Sequence, residues 1–357
     1  MIEETHPGNE EIHEDPSEDA AEEGDLYEHY RIVADKGQGL LRIDKFLMTR
    51  IEGATRTRIQ QAAHAGNILV NNKTIKPNYK VRPDDVITVV LPEPPREIEI
   101  IPEEIPIEIV YEDEDLLVVN KQAGLVVHPG YGNYTGTLLN AITYHIMQQT
   151  GKEADASVPY MVHRIDRNTT GLLLVAKNEQ AQSRLAKQFA THQVGRLYNA
   201  LVWGTPDPEE GVITGHIGRG QRDRKVMEVY PDGEQGKHAV THYKILEHFG
   251  YVSLVECRLE TGRTHQIRAH FKYIGHPLFN DETYGGHRIL KGTTFSKYTQ
   301  FVKNCFKLIP RQALHARTLR FVHPSTLKEM MFDSTLPDDM NQVISKWKGY
   351  SNTQHRL

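Results

Sequence analysis

The sequence predicts an α+β protein with a mixed, mainly antiparallel central sheet and flanking helices, preceded by a small α/β domain. Apolar runs of strand length alternate with a few helical patterns, at a spacing too irregular for repeated βαβ units. No segment repeats at the periods that are typical of solenoid proteins. The strand-like runs lie at 116–119, 172–176, 199–202 and 252–255, and the helical patterns lie at 137–149 and 181–191.

The small domain is predicted from a basic segment near the beginning of the chain. Apolar residues at helical spacing indicate two short helices, at 43–51 and 59–66. Strands are expected at 68–70 and 86–91, on either side of a polar stretch that contains proline. The order helix, helix, strand predicts a compact module.

Composition suggests where these domains begin and end. The first 30 residues hold 12 acidic side chains and no Lys or Arg, so a disordered acidic tail is expected over 1–30. Five prolines crowd into residues 92–106, which disfavours both helix and central strand and predicts a linker over 93–106. The small domain is therefore expected at 38–92 and the large domain at 107–345.

Charge is distributed in a way that favours a phosphate-rich partner. The net charge is -5, yet removing the 12 acidic residues of the tail from the total of 47 leaves 35 against 42 Lys and Arg. Between residues 41 and 82 there are nine basic residues and two acidic ones. This density favours binding to a nucleic-acid backbone, although a solvated basic face without a ligand remains an alternative.

Other compositional features bear on location. The longest apolar stretches are far shorter than the roughly 20 residues that a membrane-spanning helix needs. Cys257 and Cys305 have no metal-ligand spacing, so neither a disulfide framework nor a zinc site is indicated. A cytoplasmic protein without a membrane segment, acting as a monomer, is expected.

Several familiar chemistries lack their motifs. The glycines at 130–136 are misplaced for a dinucleotide loop, and Gly236-Lys237-His238 does not complete a phosphate loop. No HExxH motif occurs, and the run 163–166 has none of the companion motifs of a kinase catalytic loop. Nucleotide hydrolysis, zinc catalysis and kinase activity are therefore disfavoured.

Three polar runs remain as candidate site segments. Residues 162–171 place seven hydrogen-bonding side chains directly before an apolar strand, and 261–270 form a second basic run that is expected to be a loop. The third run, 196–202, places Tyr198 near the start of a strand. Each has a simpler interpretation, because an Asp beside Arg is commonly a structural ion pair and a strand Tyr commonly packs in the core.

At these runs the chain resembles the RluA/RluD-type ribosomal large-subunit pseudouridine synthases, over about residues 38–337. The run His163-Arg164-Ile165-Asp166-Arg167 with Thr170-Gly171 is similar to the family block HRLDxxTSG, whose catalytic aspartate falls on Asp166. The run 261–270 is similar to TGRxHQIRxH, whose last arginine, which pairs with that aspartate, falls on Arg268. The active-site tyrosine of the family falls on Tyr198, and the small domain resembles an S4 RNA-binding domain.

Departures from the family pattern are few. Gln122 stands where proline is usual, Ile165 replaces leucine and Thr170 replaces serine. The stretch 287–304 resembles the family poorly and is interpreted as an insertion.

The resemblance implies the pseudouridine synthase fold and the isomerisation of uridine to pseudouridine in RNA, with 23S large-subunit ribosomal RNA as the expected substrate. This reaction breaks the bond between C1′ and N1, rotates the uracil and rejoins it through C5, so no cofactor or metal is expected. Asp166 would act as nucleophile or base, Arg268 would hold it ionised, and Tyr198 would stack on a uracil that is flipped out of its helix.

RNA contacts are expected from basic residues of both domains. The predicted RNA-binding residues are Arg164, Arg167, Arg263 and His265 in the large domain, and Arg42, Lys45, Arg56, Arg58 and Lys73 in the small one.

Other functions remain open at this point. A non-catalytic RNA-binding ribosome-assembly factor would keep both domains, and a pseudouridine synthase directed at transfer RNA would keep the motifs as well. A glycosidase or base-excision enzyme would need a second carboxylate placed for acid or base work, and the three runs offer none.

Overall fold

The computed structural model describes residues 27–51, 54–91, 100–129, 133–154, 157–220, 226–233 and 235–354. The chain divides into two compact units, 1–97 and 98–357, which are described separately here. Residues 1–26, which are most of the expected acidic tail, lie outside the described residues. So do residues 92–99, which include the first half of the expected linker.

The part of the small unit that the structure describes contains two helices and two small antiparallel sheets. Its four-stranded sheet has the order β1-β6-β3-β4, and β2 pairs with β5. The elements are β1 (Tyr27–Val33), β2 (Leu41–Arg42), α1 (Ile43–Met48), α2 (Arg56–His64), β3 (Ile68–Val70), β4 (Lys73–Thr74), β5 (Lys80–Val81) and β6 (Val86–Leu91). Phe46, Leu47 and Ile87 are fully buried, so the apolar faces of the predicted helices and strands form one core.

Strand β1 is a feature that the sequence analysis did not anticipate. It begins within the segment that was expected to be an acidic tail, and it pairs with β6 along its length. The sequence YEHYRIV mixes charged and aromatic residues without a clear apolar pattern, and charged side chains are common in strands at the edge of a sheet.

The large unit is built on an eleven-stranded sheet. The strand order is β13-β12-β14-β15-β11-β16-β10-β8-β7, with β9 added to β10 and β17 added to β16. The strands are β7 (Glu108–Glu112), β8 (Leu116–Lys121), β9 (Tyr160–Met161), β10 (Thr170–Ala176), β11 (Gly195–Trp203), β12 (Glu210–Arg219), β13 (Met227–Tyr230), β14 (Lys237–His248), β15 (Val252–Leu259), β16 (Leu314–Val322) and β17 (Glu329–Asp333). Within the described strands only β10 and β16 pair in parallel, which confirms a mainly antiparallel sheet.

The described residues of this unit form five helices that flank the sheet: α3 (Leu138–Thr150), α4 (Glu179–Ala190), α5 (Gln266–Tyr273), α6 (Ser296–Leu308) and α7 (Asp338–Gln354). Helix α3 begins where predicted, because Thr137 and Asn140 form a capping box. Within the described residues, none of the helices is both long and apolar enough to span a bilayer.

Helix α5 corrects one expectation. The run 261–270 was interpreted as a loop, yet its second half is helical, from Gln266 onward. The run looks like a loop because it is so polar. Three of these polar residues, Gln266, Arg268 and His270, are nevertheless buried. Partners from other segments bind Gln266 and Arg268, and Thr241 binds Nδ1 of His270.

The last two helices extend the core of the large unit. The second half of the stretch 287–304, interpreted as an insertion, lies in helix α6, whose Val302 and Cys305 are fully buried. Helix α7 continues past residue 345, where the domain was expected to end. Its Trp347 is fully buried and packs edge-on against the ring of Trp203. Both segments therefore belong to the packed interior.

A close approach between β10 and β16 fixes the position of the loop before β10. Gly171 has φ +112°, and a Cβ atom there would lie 2.1 Å from the carbonyl oxygen of Ala316. Only glycine fits such a crossing. Beside it, the Thr170 hydroxyl hydrogen-bonds Nδ1 of the buried His315 at 2.9 Å. The polar residues 163–169 are thus held at this end of the sheet.

Candidate active site

A cavity of about 490 Å³ lies where the loop before β10, the start of β11 and the start of α5 meet. It brings together six of the predicted site residues, namely Arg164, Asp166, Tyr198, Arg263, His265 and Arg268. The other lining residues are Val162, His163, Ile165, Thr169, Phe189, Ala190, His192, Arg196, Leu259, Gly262, Thr264, Gln266, Ile267 and Leu314. Asp166 is the one carboxylate among these described lining residues.

Asp166 and Arg268 form an ion pair at the cavity wall. Nη1 of Arg268 donates to Oδ2 of Asp166 at 3.0 Å. The arginine side chain is 7% exposed, whereas the aspartate side chain is 22% exposed and borders the cavity. None of the described residues donates a hydrogen bond to Oδ1 of Asp166, so the carboxylate retains acceptor capacity.

Asp281, which the sequence analysis missed, clamps Arg268 from behind. Nε and Nη2 of Arg268 donate to its two oxygens at 2.7 and 2.9 Å, and the carboxylate is fully buried. Burial opposes the charge of Arg268, but the hydrogen bonds and charges of Asp281 and Asp166 outweigh it and raise the pKa of the guanidinium. The clamp therefore keeps Arg268 charged and aims its remaining nitrogen at Asp166.

His265 is the residue directly before helix α5, and its side chain lies next to Asp166. Its backbone adopts φ 55°, which lets Nδ1 hydrogen-bond the Tyr284 hydroxyl at 3.1 Å while Nε2 lies 3.9 Å from Oδ2 of Asp166. Burial lowers the pKa of His265, opposed by the charge of Asp166. The imidazole is therefore mainly neutral at neutral pH and leaves Arg268 as the cation next to Asp166.

Tyr198 enters the cavity from β11. A bulge between Leu197 and Tyr198 shifts the register against β16, which is a common way to redirect a side chain beside a site. The residue is 6% exposed and lines the cavity. Burial raises its pKa, partly offset by the charge of Arg196, so the phenol stays protonated near neutral pH.

Two buried cations support the loop that carries Asp166. Nζ of Lys121 donates to the carbonyl oxygens of Gln122, Leu125 and Arg167 at 2.8 to 3.0 Å, which matches the three donors of an ammonium group. Burial lowers the pKa of Lys121 to about 7, opposed by the charge of Asp166. Arg311 donates to the carbonyl oxygen of Asn168 at 3.1 Å.

The remaining basic residues that were predicted to bind RNA have different surroundings. Arg167 is exposed, donates to the carbonyl oxygen of Gly124 and does not line the cavity. In the small unit, Lys45, Arg58 and Lys73 are exposed. Arg42 and Arg56, in contrast, form ion pairs with Asp44, whose side chain is fully buried.

One cluster in the large unit has the composition of a metal site. Ligand atoms of Asp113, Asp115 and His323 lie within 4.8 Å of one another. Both oxygens of Asp113 already accept hydrogen bonds, from the Tyr111 hydroxyl, His323 and two backbone amides. These hydrogen bonds satisfy the Asp113 carboxylate, so the cluster needs no cation and is interpreted as part of a structural turn.

Comparison with known proteins places this arrangement in a family. Residues 115–273 match the model for RNA pseudouridylate synthase, and residues 41–87 match the model for the S4 domain. A protein of Chlorobaculum parvum named "Uncharacterized RNA pseudouridine synthase" is 47% identical over 317 residues, covering 87% of this chain and 95% of that protein.

Two further comparisons agree. "Ribosomal large subunit pseudouridine synthase D" of Zymomonas mobilis is 41% identical over 318 residues, covering 87% of this chain and 95% of the relative. The solved structure "Human RNA Pseudouridylate Synthase Domain Containing 4" superposes with a TM-score of 0.53 at 25% identity, covering 68% of this chain and 93% of that one. The resemblance noted from the motifs is confirmed: the chain belongs to the RNA pseudouridine synthase family and carries an S4 domain.

Proposed function

We propose that this chain isomerises specific uridines to pseudouridine in large-subunit ribosomal RNA, with Asp166 as the catalytic carboxylate. The observation that carries this proposal is the Asp166–Arg268 ion pair, which faces a cavity that Tyr198 also lines. The substrate is proposed from relatives of 39–42% identity that are named ribosomal large-subunit pseudouridine synthase D.

Asp166 has the properties that the first step needs. Arg268 stabilises its ionised form, and Oδ1 remains available to attack C1′ of the nucleoside or to act as a base. A binding-only protein has no need for an anion at a surface that meets RNA phosphates, so the intact ion pair argues against a ribosome-assembly factor without catalysis. A glycosidase would need a second accessible carboxylate, and both oxygens of Asp281 are occupied by Arg268.

Tyr198 is proposed to hold the uracil and to act near C5. Its ring offers a stacking face, and once the base has rotated its protonated hydroxyl can relay the C5 proton by passing its own hydrogen to solvent as it receives the one from C5. The cavity accepts a nucleoside only after the target uridine has left its stack. Arg164, Arg263 and His265 surround the cavity and are proposed to contact the flanking RNA.

The small unit is proposed to be the S4 RNA-binding domain, at 38–92 with β1 added to it. The catalytic domain is proposed at 107–345 together with the rest of helix α7, and 93–106 is proposed as the linker. Exposed Lys45, Arg58 and Lys73 are proposed to contact phosphates. Arg42 and Arg56 contribute part of the same positive surface, although Asp44 offsets their charge. The reaction has no net redox change, so the enzyme is proposed to act without a cofactor. It is also proposed to be a monomer.

A modification assay tests the proposal. The full chain is incubated with deproteinised large-subunit ribosomal RNA, and new pseudouridines are mapped by adduct-dependent stops of reverse transcription. Asp166→Asn should reduce their formation by about a thousandfold or more while RNA binding persists. Asp333→Asn is the matched control, because Asp333 also pairs with an arginine but lies outside the cavity.

Each contrary outcome has a distinct meaning. Modification by Asp166→Asn at the rate of the unaltered chain would show that another group is catalytic. Modification of transfer RNA in place of ribosomal RNA would correct the substrate. Binding without modification of either RNA would favour the assembly-factor alternative.

A further inference from the structure

Arg196 is a buried arginine of the cavity that lacks an anionic partner. It lies on β11, two residues before Tyr198, and is 8% exposed. Its Nε is enclosed, and no described residue accepts a hydrogen bond or forms an ion pair with its guanidinium. Buried arginines are almost always paired, because an isolated buried charge is strongly unfavourable. Arg196 begins the third polar run, 196–202, but the sequence assigns it no role.

The surroundings of Arg196 fix its orientation without neutralising its charge. Its Cζ lies 5.5 Å from the centroid of the Phe189 ring, within range of a cation–π contact. On another side the guanidinium lies over Gly262, where an added Cβ would come within 2.7 Å of Nη1. Gly262, in the run 261–270, thus leaves room for the guanidinium of Arg196, in the run 196–202.

The neighbouring titratable groups His163 and Asp166 accept no hydrogen bond from Arg196. Nε2 of His163 accepts the backbone N–H of Leu174 at 2.8 Å, so the hydrogen of the neutral ring is on Nδ1. Burial lowers the pKa of His163 to about 3, which keeps that ring neutral. Asp166 is engaged with Arg268 and makes no hydrogen bond to Arg196.

The charges around the cavity point to what is missing. Arg268 is matched by Asp281 and Asp166, whereas Arg196 has no counterpart among the described lining residues. A neutral uracil carbonyl would leave this charge uncompensated. A phosphate group supplies both a negative charge and the paired oxygens that a planar guanidinium binds best.

We propose that Arg196 binds a phosphate of the target nucleotide and thereby positions its uracil on Tyr198. This inference rests on the proposed function and adds a substrate contact to it. Arg196 and Tyr198 are two residues apart on one strand and both line the cavity, so one strand would hold the backbone and the base of a single nucleotide.

Nucleotide binding tests this without turnover. Ligand-detected NMR titrations of the full chain compare uridine, uridine 3′-monophosphate and uridine 5′-monophosphate. One monophosphate should bind about ten- to a hundredfold more tightly than uridine, and Arg196→Met should remove that preference. The identity of the preferred monophosphate shows which linkage is held.

A matched control separates this contact from net charge. Arg320→Met removes an arginine that pairs with Glu329 on the exposed part of β16, outside the cavity, and should keep the preference for phosphate. Arg196→Lys should keep part of it, because a point charge replaces the fork. Gly262→Ala should weaken it while the arginine remains, since the added methyl group displaces the guanidinium.

Two results would overturn the proposal. One is equal binding of uridine and both monophosphates by the unaltered chain. The other is a phosphate preference that survives in Arg196→Met, or in Gly262→Ala if the Met variant does not fold. Since these titrations need no catalysis, a chain that fails to modify RNA would refute the proposed function while the titrations still decide the role of Arg196.

Discussion

Each unit contains a buried aspartate that pairs with arginine. The two units differ in how many of their carboxylate oxygens already accept hydrogen bonds from the protein. In the small unit, Asp44 accepts hydrogen bonds from Arg42, Arg56, Gln60 and the backbone N–H of Lys45. In the large unit the same chemistry is divided between two carboxylates. Asp281 is saturated and buried, and Asp166 has one charged partner and faces a cavity.

This difference separates a structural ion pair from a candidate catalytic one. Both aspartates, Asp44 and Asp166, lie directly beside basic residues in the sequence. What distinguishes Asp166 is acceptor capacity that the protein does not use, together with space for a substrate. Asp281 makes that possible, because it satisfies the rest of the Arg268 guanidinium.

The largest effect on stability is expected from Asp281→Asn. The change leaves the buried charge of Arg268 with Asp166 as its partner, so the unfolding free energy of the large unit should fall by about 3–5 kcal/mol. Urea unfolding followed by tryptophan fluorescence measures this unit alone, because Trp203 and Trp347 are the two tryptophans of the chain. A loss below about 1 kcal/mol, the range of an exposed pair, would contradict the clamp.

A smaller effect is expected from Asp44→Asn in the small unit. Hydrogen bonds from its arginines and Gln60 outweigh the effect of burial and lower the pKa of Asp44 to about 2, which corresponds to about 2 kcal/mol of stabilisation. Arg42 and Arg56 are partly exposed, so water can solvate them afterwards. Hydrogen exchange of peptides from α1 and α2 should accelerate by roughly thirtyfold.

The control for this variant is Asp35→Asn, which removes an exposed pair with Arg50 and should leave that exchange unchanged. Equal acceleration in both variants would mean that Asp44 has no special structural role.

The two units should also respond differently to mild acid. Burial lowers the pKa of His270 and His315 to about 4 and of His163 to about 3 in the large unit, whereas the described part of the small unit buries no histidine. These rings stay neutral in the fold and gain a proton on unfolding below pH 6.5. The stability they provide is therefore present above that pH and is lost as the pH falls.

For His315 alone the loss should reach about 1–2 kcal/mol at pH 5. Urea unfolding from pH 7 to pH 5, followed by tryptophan fluorescence, measures it. His315→Gln should have a lower unfolding free energy at pH 7, because it changes the two hydrogen bonds of this side chain. Between pH 7 and pH 5, however, its unfolding free energy should fall by less than that of the unaltered chain. Identical pH slopes for the variant and the unaltered chain would refute this assignment.

The smallest effect is expected on the salt dependence of RNA binding. Joint replacement of Lys45, Arg58 and Lys73 by Gln should make the slope of log K against log salt less negative by about 2, since each phosphate contact contributes roughly 0.7–0.9. Arg42→Gln should change the slope less and should mainly destabilise the small unit through Asp44. Filter binding of ribosomal RNA between about 50 and 200 mM salt distinguishes the two, and equal slopes would argue against the exposed residues as contacts.

Much of this molecule could be predicted from local pattern. The helices at 43–51 and 137–149 and the strands at 172–176 and 252–255 have apolar spacing that the structure confirms. Tyr198, Asp166 and Arg268 were found because they sit inside dense motifs. Arg196 lies in the run 196–202 but received no role, because it looks like an ordinary strand residue there. Asp281 was not found, because it follows Leu278 and Phe279 in a polar stretch where an aspartate is normally exposed.

The sequence by itself determined which segments form helices and strands and that they group into two domains. It also determined the residue types that the proposed reaction needs. The family resemblance also paired Arg268 with Asp166, 102 positions away. Tertiary structure alone decided other contacts, such as that of Thr170 with His315, 145 positions away, and that of Asp281 with Arg268. Helical and strand periodicity arises from neighbours along the chain, so it is visible in the sequence. Whether a carboxylate is saturated or available depends on distant partners and on the space left beside it, which only the packed chain defines.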